Sequence, residues 1–84
     1  MHELLMVKVS ARPEQRQGII SIADIFHAKV VDVSKESLIL EMTGTHNKLE
    51  AFIDLMKDYE ILEMARTGVT GLSRGSDDVT FFIA

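Results

Sequence analysis

The chain contains no cysteine, which excludes a disulfide framework and any thiolate site. That absence fits either side of a membrane and assigns no compartment. No apolar run approaches the ~18 residues of a membrane-spanning helix, and no charged-then-apolar leader opens the sequence. Basic residues are few and dispersed, 9 Lys and Arg against 13 Asp and Glu, for a net charge of −4. A nucleic-acid surface wants clustered Lys and Arg, so that class of partner is not expected. The three histidines, His2, His27 and His46, have no second His or Cys nearby at ligand spacing, and no metal site within one chain is expected. Gly68, Gly71 and Gly75 follow no strand-to-helix turn and lack the spacing of a phosphate-cradling loop. A soluble, cytoplasmic protein with no cofactor and no membrane association is the expectation.

What is present is one small domain, with 46% apolar residues in 84. A chain this short buries only roughly 60% of the surface it exposes when unfolded. Association with a second chain is a physical way to gain burial.

Glu3–Ser10 alternates as a strand, with Leu5, Val7 and Val9 on one face and Leu4, Met6 and Lys8 on the other. Pro13, the single proline, presets a first helical turn and pushes Arg12 toward extended backbone. Ile19, Ile22, Ala23 and Phe26 then form a helical stripe, flanked by Ile20 and Ile25. Gly18 inside this helix costs about 1 kcal/mol against alanine, and the sequence offers no reason for it. Ala28–Val33 and Leu38–Thr43 are strands joined by "SKES", so they pair as an antiparallel hairpin. Gly44 breaks the strand and Thr45 is an N-cap candidate. Leu49, Phe52, Ile53 and Met56 mark a second helix, and Glu60–Thr67 a fourth strand.

The order strand, helix, strand, strand, helix, strand predicts an α+β, ferredoxin-like (ACT-like) βαββαβ sandwich. Two helices would cover one face of a four-stranded antiparallel sheet, over a core that includes Val31, Val33, Leu38, Leu40 and Met42. The opposite face would carry Leu4, Met6, Val30 and Ile39 with no helix to cover them. A contiguous apolar patch of this kind marks an interaction surface, and these four residues are the candidate interface. The domain would run over residues 1–75, with a loop over 68–78. Residues 76–84 form a tail whose "VTFFIA" either adds a strand to a sheet edge, in this chain or a partner, or frays.

No catalytic residue is expected. Ser10, Ser21, Ser34 and Ser37 read as turn or surface residues. Asp32 and Glu41 share a face as solvated carboxylates rather than an acid pair. The hairpin strands lack the stacked aromatics of an RNA-binding sheet. Arg12, Arg16 and Arg66 are the candidate anchors for a ligand or a partner's carboxylate or phosphate, against the plainer reading of solvated or salt-bridged side chains.

The stretches "ARPEQR" (11–16), "AKVVDVSKESLILEMTG" (28–44) and "ARTGVTGLSRG" (65–75) resemble the C-terminal domain of the acetolactate synthase (acetohydroxyacid synthase) small regulatory subunit. The likeness runs from Glu3 to Gly75, and Glu41–Gly44 with Arg66-Thr67-Gly68 are its most specific parts. The resemblance implies a regulatory partner for a large catalytic subunit, which itself carries thiamine diphosphate, a divalent metal and flavin. That enzyme condenses pyruvate with pyruvate or 2-oxobutyrate on the way to the branched-chain amino acids, and the small subunit raises its activity and confers valine feedback. The family's small subunit also has an N-terminal ACT domain whose dimer interface binds valine. The present sequence shows no counterpart of it and reads as an excised domain or a free-standing relative, so no valine-contacting residue carries over.

Two functions follow. The first is a non-catalytic, protein-binding regulatory module that forms a homodimer and engages the large subunit. The alternative is a free-standing ACT-like amino-acid sensor, with Ser10–Arg16 set against a neighbour's helix.

Overall fold

A computed structural model describes residues 2–67 and 80–83, with side chains for 2–67. The alternating segment Glu3–Ser10 forms β1. Its Leu5, Val7 and Val9 are sealed from solvent, so the period-two pattern does place one face in the core. α1 spans Pro13–Phe26. Arg12 is extended before the proline, at φ −70° and ψ 159°, and its N–H donates to the Gln15 side chain at 3.0 Å. The helix stops at His27, which takes left-handed backbone (φ 59°). There the His27 N–H donates to Asp24 O at 3.2 Å and the Ala28 N–H to Ala23 O at 2.8 Å, closing the last turn.

β2 (Lys29–Val33) and β3 (Ser37–Gly44) form the hairpin. Ser34 and Ser37 tie its turn, Ser34 N–H to Ser37 O at 2.9 Å and hydroxyl to hydroxyl at 2.6 Å. β3 runs one residue further at each end than alternation alone suggests, and Gly44 is its last residue. Thr45 caps α2 (His46–Met56), its hydroxyl accepting from the Lys48 N–H at 3.4 Å. A 3-10 turn over Lys57–Tyr59 leads into β4 (Ile61–Arg66). Thr80–Ile83 forms β5, which pairs in parallel with β4 from Glu63↔Thr80 to Arg66↔Ile83.

The sheet order is β2-β3-β1-β4-β5, with the first four strands antiparallel. These four strands and two helices are the ferredoxin-like arrangement, and β5 extends the edge beyond β4. The core lies between helices and sheet. Ile19 and Ala23 of α1 and Leu49, Phe52, Ile53 and Met56 of α2 pack on Leu5, Val7, Val9, Leu38, Leu40 and Met42. Phe26 and Phe52 join the helices edge to face, with ring centroids 5.3 Å apart.

The second strand departs from its expected pattern. Val31 and Val33 are 43% and 61% exposed instead of lying under the helices. Val33 keeps the helix side but lies on an edge strand, beyond the cover of the helices, and at Val31 the register of β2 against β3 also shifts, between Val30 and Asp32. The shift inserts Val31 as an extra residue, a β-bulge, and reverses the facing of what precedes it. Val30 therefore pairs with core-facing Leu40 and does not lie on the opposite sheet face with Leu4, Met6 and Ile39. Ile25, expected to widen the apolar stripe of α1, is 73% exposed. The loop expected over 68–78, with Gly68, Gly71 and Gly75, and the domain boundary at 75/76 lie outside the described residues.

Candidate functional site

The helix-free face of the sheet follows from the register. Across β3 and β1, Thr43 is opposite Leu4, Glu41 opposite Met6 and Ile39 opposite Lys8. Across β1 and β4, Met6 is opposite Ala65 and Lys8 opposite Glu63. All of these alternate with core residues, so all point away from the helices. Leu4, Ile39 and Ala65 are half-buried and Met6 is 36% exposed. Among the described residues nothing is layered over them. Met6, Lys8, Ile39, Glu63 and Ala65 surround a shallow depression of about 150 Å³ whose floor reaches Val7 and Met64.

The rim of this face is charged. Lys8 Nζ donates to Glu63 Oε2 at 3.4 Å, and both side chains remain solvated. Such an exposed pair contributes little to stability, but it fixes where charge sits beside the apolar strip. Three of the four expected interface residues, Leu4, Met6 and Ile39, are thus brought together, and Val30 is not. Sequence reasoning missed Ala65 and Glu63. Their facing depends on a second register shift, between Lys8 and Val9 on β1, which leaves Leu62 as the extra residue on β4.

The three candidate arginines lie in three separate places. Arg66 is buried, at 7% exposure, on the core-facing side of β4 opposite Leu5. Its Nη1 donates to Glu50 Oε2 at 2.6 Å and its Nη2 to Glu3 Oε1 at 3.0 Å, with His46 Nδ1 3.3 Å from Nη2. Both terminal nitrogens of its guanidinium are engaged within the chain, while the buried Nε has no partner among the described residues. Ionic bonds of this kind are shorter and stronger than neutral ones, and they join the start of β1, the first turns of α2 and the end of β4. Next to it, the Leu4 N–H donates to Thr67 Oγ1 at 2.9 Å and the Thr67 N–H to Leu4 O at 3.0 Å, locking the same end of the sheet. The signal for a buried Arg66 was present in the sequence, two residues after core-facing Met64 on a strand. Its partners, far away in the chain, were not.

Arg16 is likewise engaged, donating from Nη2 to Ser34 O and, at 2.7 Å, to Lys35 O. It pins the β2–β3 turn to α1. Arg12 stays on the surface, its Nε donating to Glu14 Oε2 at 2.9 Å. Glu14 accepts from its own backbone N–H and from Arg12, and these bonds hold its carboxyl below the ordinary glutamate value.

A family model described as the small subunit of acetolactate synthase matches residues 2–75. The chain belongs to the acetolactate synthase small subunit family. A probable acetolactate synthase small subunit of Archaeoglobus fulgidus is 49% identical over 74 residues, covering 88% of this chain and 46% of that protein. The acetolactate synthase small subunit of Bacillus subtilis is 47% identical over 74 residues, covering 88% of this chain and 43% of that one. The crystal structure of a Thermotoga maritima acetolactate synthase small subunit superposes with a TM-score of 0.74 at 39% identity, over 89% of this chain and 46% of that one. The chain spans less than half the length of these relatives, and the part it matches is their C-terminal-type domain. The matched span contains β1, β3 and β4, and so the whole small-subunit sheet face described above, as well as the Arg66 network.

Proposed function

We propose that this domain is a non-catalytic regulatory module of acetolactate synthase in branched-chain amino acid biosynthesis. It docks on the large catalytic subunit through the face of Leu4, Met6, Ile39 and Ala65, associates with a second copy of itself, and supports activation and valine feedback. The observation that carries the reading is an uncovered, partly apolar sheet face in a member of the small subunit family. Side chains of this size each gain about 1.5–3 kcal/mol when fully buried, and a partner surface completes that burial. The test mixes the 84-residue chain with its cognate large subunit and follows co-elution and acetolactate formation. Co-elution with a faster reaction is expected; a large subunit that elutes alone and reacts at an unchanged rate overturns the reading.

One observation favours the sensing alternative. The Arg12 side chain is 67% exposed just after β1 and, among the described residues, has only its neighbour Glu14 as an ionic partner. Calorimetry with valine, leucine and isoleucine decides this: heat of binding to the chain alone, abolished in Arg12→Ala, replaces the docking module with a sensor.

A further inference from the structure

Among the elements whose side chains are described, β2 is the one in which every residue is exposed, although three of its five residues are valine. Among the described strands it lies at the outer edge of the sheet, with β3 on one side only. A bare edge strand is a template for another strand. Val30, Val31 and Val33 at 38%, 43% and 61% exposure are an unusual sequence to leave in water there.

The bulge decides what fits. Lys29 is opposite Glu41 and Asp32 opposite Ile39, and both of those β3 residues belong to the helix-free face. Residues three apart on a regular strand lie on opposite faces, so only the inserted Val31 brings Lys29 and Asp32 to the same one. β2 thereby displays a cation and an anion on one face, on either side of its midpoint.

We propose that β2 pairs antiparallel with β2 of a second copy about a two-fold axis between Val30 and Val31, joining the two sheets edge to edge. In that register Lys29 of each copy is opposite Asp32 of the other, Val30 opposite Val31, and Val33 opposite Ala28. Both ion pairs fall on the helix-free face, and Val33 and Ala28 share the helix side. Centring the axis on Val31 sets Lys29 against Val33, which faces the other way. Centring it on Lys29 opposes two lysines, which is destabilising. The strand is complementary to itself in one register, which is the signature of an isologous contact. The inference rests on the self-association proposed above and names its surface, leaving the face of Met6 and Ile39 free for the large subunit.

The test is a charge exchange read by analytical ultracentrifugation of the 84-residue chain. The parent chain is expected to sediment as a dimer. Lys29→Asp and Asp32→Lys each set like charges opposite one another and weaken self-association about tenfold or more. An equimolar mixture of the two variants restores a dimer, because the acidic edge of one meets the basic edge of the other. The double variant Lys29→Asp/Asp32→Lys dimerises as the parent does. Recovery in the mixture also shows that both single variants are folded. A dimer that neither single variant weakens, and that Met6→Glu disrupts, places self-association on the sheet face and overturns the edge pairing alone. A parent chain that stays monomeric at all concentrations overturns self-association itself.

Discussion

A Cβ built on Gly18 of α1 would stand 2.5 Å from the hydroxyl oxygen of Tyr59, the residue that ends the 3-10 turn after α2. The glycine is there for the close approach of another side chain and not for its own backbone freedom. Tyr59 is half-buried and packs against the core.

Gly18→Ala therefore sets two effects against each other. It gains about 1 kcal/mol of helix propensity but forces an overpacked contact that costs about 1–3 kcal/mol. A net loss of about 1 kcal/mol is expected. In the Tyr59→Phe background the oxygen is gone, and the next ring atom, Cζ, lies at an ordinary 3.5 Å. There the same substitution is expected to stabilise by about 0.5–1 kcal/mol. Urea unfolding of the four chains of this cycle reads the sign change.

Arg66 anchors Glu3, which is itself nearly buried, and Glu50, which is half exposed. Arg66→Met is expected to cost about 2–4 kcal/mol, since it strands the Glu3 carboxylate in a dry place while Glu50 turns to water. Adding Glu3→Gln removes the stranded charge and recovers part of that loss. Thermal melting of the single and double variants checks this. Equal melting temperatures for the two would show that the loss is one of packing and not of an uncompensated charge.

The edge position of β2 makes a contrast within one hairpin. Leu40 is sealed at 1% exposure and Val33 is 61% exposed, although both face the helix side. Leu40→Ala is expected to cost about 2–5 kcal/mol. Val33→Ala, at a surface position, is expected to stay within about 0.5 kcal/mol. Denaturant midpoints at matched slopes give both numbers.

Glu14 supplies a pH dependence. Its folded-state carboxyl titrates below the ordinary value, first through its own backbone N–H and then through Arg12. A group depressed on folding stabilises the chain above its unfolded pKa, and that contribution is lost as pH falls through the folded pKa. Carbon-detected NMR titration should find the Glu14 midpoint below that of an exposed glutamate. In Arg12→Ala it should move partway back, since the backbone bond remains.

The elements were legible because their signals are local. Pro13 starts α1, Thr45 starts α2, and the stripe from Leu49 to Met56 is buried as the 3.6-residue period requires. Leu4, Met6 and Ile39 were legible on the open face for the same reason, since strand alternation survives wherever the ladder is regular. Val30 and Val31 were not, whereas Val33 has the expected facing and is exposed because β2 is an edge strand. A bulge is a property of two strands meeting, and one inserted residue reverses the facing of a whole segment. Arg66 was visible as a chemically able side chain, but its burial against Glu3, Glu50 and His46 is decided by residues up to 63 positions away. Gly18 was visible only as a cost, because its cause, Tyr59, is close in space but far along the chain.

The docking of this domain through its open sheet face is tested most directly by titrating the large catalytic subunit with the parent chain and with Met6→Glu. Met6 is partly exposed, so the new carboxylate stays solvated and adds charge to the apolar strip, while its place opposite Glu41 costs up to about 1 kcal/mol. The account predicts that Met6→Glu stays folded, melting a few degrees below the parent, and binds the large subunit at least about tenfold more weakly. Equal affinity of the two folded chains would contradict it.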